Sequence, residues 1–143
     1  MRRGPDMAAG AEQVECIAWN AEPLCYIVRR ELNPRRTTFL TPPTVPLQVG
    51  FVVRDAAEEI PRHAHRPVER IITTTSEVLF VQRGRCEIDI YSDDRQHVAT
   101  RELREGDLVI IVGGGHGFRI IEDTVLLEVK QGPYAAAGDK ERF

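Results

Sequence analysis

From Arg85 to Tyr91 the chain reads RCEIDIY, with Cys86, Ile88 and Ile90 on one side and Glu87, Asp89 and Tyr91 on the other. A period of two is the period of a strand with one buried face. Helical periodicity is weak along the rest of the chain, and Gly and Pro interrupt it at short intervals. That combination points to an all-β sandwich or barrel. Glu77–Gln82 (EVLFVQ) reads as a strand running into Gly84. Ser92–Arg95 is a polar turn, His97–Leu103 a returning strand and Glu105-Gly106-Asp107 the next turn. Leu108–Val112, Phe118–Ile121 and Val125–Lys130 are the closing strands, with a glycine-rich loop, Gly113–Gly117, around His116. Earlier, Leu24–Val28 and Leu47–Arg54 read as strands, Asp55–Glu59 as a turn, and Ile60 leads into His63 and His65. Asn33–Pro46 holds four prolines and is expected to be an extended connection or an edge.

A chain of 143 residues can bury a core without disulfides or a structural metal. Its cysteines, Cys16, Cys25 and Cys86, are odd in number and lack C-x-x-C spacing. They are expected to be small buried hydrophobes in a reducing compartment. A net charge of −3 excludes a chain built to attract nucleic acid or an anionic membrane. No stretch approaches the roughly twenty apolar residues of a spanning helix. Met1–Gly10 has two arginines but no apolar run, so it does not read as a secretory signal. The expected organisation is a disordered lead over 1–13, one β-barrel domain over 14–131 and a polar tail over 132–143, with a cytoplasmic location as the default.

The residues able to carry chemistry are few. On a strand, His63 and His65 point to one side with Cα atoms about 7 Å apart, so that both imidazoles can converge on one ion. Strand parity puts Glu77 in an inward row with Leu79 and Val81, where a carboxylate needs a partner. His116 follows in the glycine loop. Three histidines and one carboxylate make a metal shell that leaves one or two positions open.

The stretch from Ala57 to Ile120 resembles the two cupin motifs. The first, G-x5-H-x-H-x3-4-E-x6-G, reads here as A-EEIPR-H-A-H, an inserted segment, then E-VLFVQR-G. The second, G-x5-P-x-G-x2-H-x3-N, reads as G-DLVII-VGGG-H-GFR-I. Ala57 stands in place of the first glycine, Val112 in place of the proline and Ile120 in place of the asparagine, and the second motif is one residue short before His116. Eleven residues separate His65 from Glu77. Glu69 fits the spacing from the histidines and Glu77 the spacing to Gly84; Glu77 is preferred, because register is counted more rigidly from a hairpin than across a loop.

The resemblance implies a cupin barrel (a double-stranded β-helix, or jelly roll) binding one divalent metal, Fe, Mn, Ni or Zn, through His63, His65, Glu77 and His116, with Glu69 the alternative to Glu77. It implies a small-molecule ligand, no nucleic acid or membrane partner, and a homodimer in which Asn33–Pro46 could exchange or pair edges. Arg66, Arg70, Arg119 and Tyr91 are candidate substrate contacts, since guanidinium groups bind planar anions bidentately. Arg62 falls on the outer face. Function remains open among three readings. One is a metalloenzyme acting on a small organic acid or sugar-like substrate. The second is a non-catalytic ligand-binding module. The third is a metal-free enzyme like the nucleotide-sugar ketoisomerases, with His63 or His65 as base.

Overall fold

The computed structural model describes residues 14–135 and 138–143. The expected lead over 1–13 lies outside the described residues. Its first hairpin joins β1 (Val14–Trp19) to β2 (Glu22–Val28). The link is two residues, Asn20 and Ala21, at φ 49° and 67°. Positive φ at both positions matches the twist of the flanking strands, and asparagine tolerates it well.

The later strands follow the alternation in the sequence: β5 (Glu77–Arg83), β6 (Arg85–Tyr91), β7 (His97–Arg104), β8 (Leu108–Ile111), β9 (Gly115–Ile120) and β10 (Val125–Lys130). Between β2 and β5 stand two short strands, β3 (Thr38–Phe39) and β4 (Gly50–Phe51). Strands assemble into a five-stranded antiparallel sheet, β1-β2-β8-β5-β10, and a three-stranded one, β7-β6-β9. A two-stranded β3-β4 ladder completes the set, and no helix occurs among the described residues. The all-β class is therefore observed. No helix is long and apolar enough to cross a membrane.

The core lies between the two larger sheets. Ile27, Val109, Leu79 and Val81 from one meet Cys86, Ile88, Ile90 and Leu103 from the other, all buried. Each such aliphatic side chain contributes roughly 1.5–3 kcal/mol by leaving water. The opposite face of the larger sheet is covered in part by the β3–β4 hairpin: Leu40, Val49 and Phe51 pack over Tyr26, Val28 and Ile110. Cys25 and Cys86 are buried as expected, but Cys16 is exposed, because it lies out of phase with inward Ile17 on the edge strand β1. Burial pushes the Cys25 thiol up to about 12.

Two expectations change. Leu47–Arg54 forms a strand only at Gly50–Phe51. Its partner segment contains Pro42 and Pro43, which have no N–H to give a ladder. Segment 52–76, which carries His63 and His65, forms no strand and is exposed along most of its length. The described strands accordingly do not close a barrel: β9 and β10 are each left with one unpaired edge.

The two sheets are joined at a corner where β7 turns into β8. Asp107, 3% exposed, accepts hydrogen bonds there from Arg29 Nη1 (2.9 Å), Arg30 N (3.1 Å) and Arg104 N (2.9 Å). Arg29 Nη1 also donates to Glu102 O at 2.8 Å. The backbone of the turn is clamped to β5, with Val81 N donating to Asp107 O (2.9 Å) and Gly106 N to Val81 O (2.8 Å). Removing the carboxylate leaves the amides of Arg30 and Arg104 without their acceptor and Arg29 with only Glu102 O. Asp107→Ala is expected to lower unfolding free energy by about 2–3 kcal/mol, as for leaving buried donors unsatisfied. Urea unfolding followed by circular dichroism measures it, and a change below roughly 1 kcal/mol contradicts the corner assignment.

Candidate functional site

Glu77 opens β5 and lies opposite Ile111 on β8 and Lys130 on β10. Its side chain shares the inward row with Leu79 and Val81, and the residue is 6% exposed. His116 comes from the other sheet. Its register partner is Ile90, a core residue, so the imidazole also points inward. The sequence reading put His116 in a loop, whereas β9 already begins at Gly115, paired with Tyr91. The turn before it needs glycine: Gly114 sits at φ +64°, and a Cβ there would come within 2.1 Å of the Tyr91 carbonyl oxygen. Val112 N and Gly113 N both donate to Leu24 O, tying this turn to β2.

The two inward groups meet between the sheets, His116 Nε2 standing 3.1 Å from Glu77 Oε2. The hydrogen bond with His116 holds the Glu77 carboxyl below its ordinary value of 4.5, against burial, which acts to raise it. The charges of His116, Lys140 and Lys130 pull in the same downward direction. The His116 ring stands edge-on to Phe118, with centroids 5.9 Å apart, which restricts its rotation.

Above this pair is a cavity of about 490 Å3, walled by Glu77, Ile111, the Gly113–Gly115 turn and His116, and by residues 139–143. The polar tail expected over 132–143 contributes to this wall. Residues 139–143 line the cavity, and their segment is held at three points. Asp139 is 3.9 Å from Lys130 Nζ, Glu141 Oε2 is 2.6 Å from Arg95 Nη2, and the Phe143 ring stands edge-on to Tyr91 at 5.2 Å. The Arg95 guanidinium also lies over the Phe143 ring, 4.9 Å from its centroid. The signal missed in the sequence was a lone aromatic in a polar stretch, together with charges complementary to Arg95 and Lys130.

The other residues singled out by sequence are placed elsewhere. His63 and His65 lie on the exposed segment, their rings 5.4 Å apart and nearly perpendicular. His63 Nδ1 is 2.9 Å from Pro61 O. Arg66, Glu69 and Arg70 share that exposed segment. Arg119 is on the outer face of β9, with Nε 2.8 Å from Glu87 Oε2. Tyr91 faces Phe143 and His97 rather than Glu77. Among the described residues no group of three or more His, Cys, Asp and Glu side chains is gathered closely enough to hold a metal ion. The structure thus assembles one histidine and one glutamate of the expected set, and leaves the H-A-H pair outside. Lys130 and Lys140, unremarked in the sequence, are the cations whose fields reach Glu77.

Compared with protein-family models, with curated proteins and with solved structures, the chain matches none.

Because the folded-state pKa of Glu77 is depressed, its contribution to stability is present above its unfolded value and lost as pH falls through the lower folded value. In metal-free protein, Glu77→Gln is expected to remove this part of the acid loss below pH 4.5 while leaving the rest of the profile in place. Urea midpoints measured stepwise into acid report it; parallel curves for the two proteins contradict the pairing.

Proposed function

We propose that the chain is a cupin that binds one divalent transition metal and acts on a small organic acid or sugar-like substrate in the cavity over Glu77 and His116. The observation that carries this reading is the cross-sheet pair itself: an acid and an imidazole, from different sheets, brought within 3.1 Å beneath a cavity large enough for a small molecule. A carboxylate and an imidazole are donor types suited to Fe(II), Mn(II), Ni(II) or Zn(II). Of the two glutamates weighed from sequence, Glu77 reaches His116 and Glu69 does not, which favours Glu77 as the ligand.

His63 and His65 complete the set when segment 52–76 lies along the unpaired edge of β9. Several features support that movement. The inward row of β9 is His116, Phe118 and Ile120, opposite Ile90, Ile88 and Cys86, yet Ile120 is 55% exposed for want of a neighbour. The segment carries apolar side chains of its own in water, Ile60, Val68 and Ile71 among them. An added strand satisfies the open backbone groups of β9 and shields both sets. On that strand His63 and His65 share one side. The bound metal would supply Lewis-acid polarisation of a substrate oxygen. The chain's own part is to hold Glu77 ionised, to orient His116 against Phe118, and to wall the cavity with residues 139–143.

A second reading rests on the same pair. His116 oriented by a buried carboxylate is also an arrangement for moving a proton without a metal.

Elemental analysis of the purified protein separates the two. About one transition-metal equivalent per chain is expected in wild type and in Glu69→Ala. Glu77→Ala, His116→Ala and His63→Ala are each expected to weaken metal affinity at least tenfold, as loss of a ligand or its support does. No metal in wild type, and none taken up on reconstitution, overturns the metal reading in favour of the proton-transfer one.

A further inference from the structure

Three acids and two fixed cations line the cavity. Each acid there has a partner: Glu77 has His116, Asp139 has Lys130 and Glu141 has Arg95. Lys140 and Arg142 also line the cavity, and neither has an ion-pair or hydrogen-bond partner among the described residues. They stand two positions apart on the segment that lines it, between the anchoring residues Asp139, Glu141 and Phe143. Asp139, Glu141 and Phe143 hold this segment to the scaffold, while Lys140 and Arg142, without ion pairs of their own, leave their charge to the cavity, where that of Lys140 already reaches Glu77.

We infer that this cavity takes a small organic acid, whose carboxylate is gripped by Lys140 and Arg142 and whose carbon skeleton rests on Ile111 and Phe143. The inference deepens the proposed function by naming the substrate class, and it requires no metal to be bound. A planar carboxylate suits the guanidinium of Arg142, which can hold both oxygens, and the ammonium of Lys140 adds a point charge. The apolar part of the wall distinguishes an organic acid from inorganic phosphate. Phe143 packs so closely over the Gly113–Gly115 turn that a Cβ at Gly115 would come within 2.8 Å of its ring, which makes the ring a fixed wall of the cavity. Volume agrees: about 490 Å3 lies within the range of small-molecule sites. Arg66, Arg70 and Arg119, the arginines expected from sequence to grip an anion, lie outside this wall.

The test is titration calorimetry with succinate, its uncharged isostere succinamide, and inorganic phosphate, on metal-stripped protein. Succinate is expected to bind at least about tenfold more tightly than succinamide, and more tightly than phosphate, as a charge-assisted and partly apolar site requires. The double variant Lys140→Ala, Arg142→Ala is expected to lose tenfold or more in succinate affinity, and Lys140→Arg to retain it. Equal affinity of wild type and double variant for succinate, or no binding by wild type, overturns the inference, as does phosphate binding more tightly than succinate. Failure of the metal reading is separately visible: a chain that takes up no metal but binds succinate through Lys140 and Arg142 keeps this inference and discards that one.

Discussion

The buried carboxylate of Asp107 holds the corner on which the two sheets turn toward each other. It gathers two backbone amides and a guanidinium from the turn that follows β2 and from the end of β7, at the point where the chain leaves one sheet for the other. An ionised group at 3% exposure is costly unless all its acceptor capacity is used, and here most of it is. With that corner fixed, the inward rows of β5 and β6 face one another, and Leu79, Val81, Ile88 and Ile90 fill the gap. The alternation of the strands then carries the order outward from the corner to the far end of the sheets, where the inward row of β5 ends in Glu77 and His116 on β9 stands beside Ile90.

That change of residue type at the end of an apolar row gives the site its chemistry. A carboxylate at 6% exposure beside an imidazole works in a lower effective dielectric than water, so their interaction is strengthened and their positions are narrowly set. Glu77 stands on a strand paired on both sides, and His116 on one whose register is set by its ladder with β6. Their geometry therefore belongs to the scaffold. His63 and His65 belong to a segment with few packing contacts, whose position is set by local bonds such as that from His63 to Pro61. The molecule thus sets an acid–imidazole pair carried by the scaffold apart from an exposed histidine pair carried by a segment without strand.

Much of the scaffold was legible in the sequence. The RCEIDIY alternation located β6 and its buried face, and the run from Gly84 back to Glu77 fixed the inward parity of the carboxylate. Those features depend on a period of two and a hairpin glycine, both local. The failures were non-local. Leu47–Arg54 has strand composition but finds a proline-bearing partner, so only Gly50–Phe51 pairs. His116 was assigned to the glycine loop because glycines mask the strand that begins among them. Cys16 reads as apolar, yet its exposure follows from lying on an edge strand, which composition does not reveal. The contacts of segment 138–143, to Lys130, Arg95 and Tyr91, were not legible either, since all are distant in the chain.

The manner in which segment 138–143 is held has a consequence of its own. The sheets are joined by ladder bonds and buried apolar contact, which simple salts scarcely weaken. Two of the segment's three attachments are ion pairs between side chains partly open to solvent, at Lys130 with Asp139 and Arg95 with Glu141. Attractions of that kind fade as the screening length falls, from about 10 Å at 0.1 M salt to about 3 Å at 1 M. Ionic strength therefore acts selectively on this molecule, loosening one wall of the cavity while the sheets keep their form.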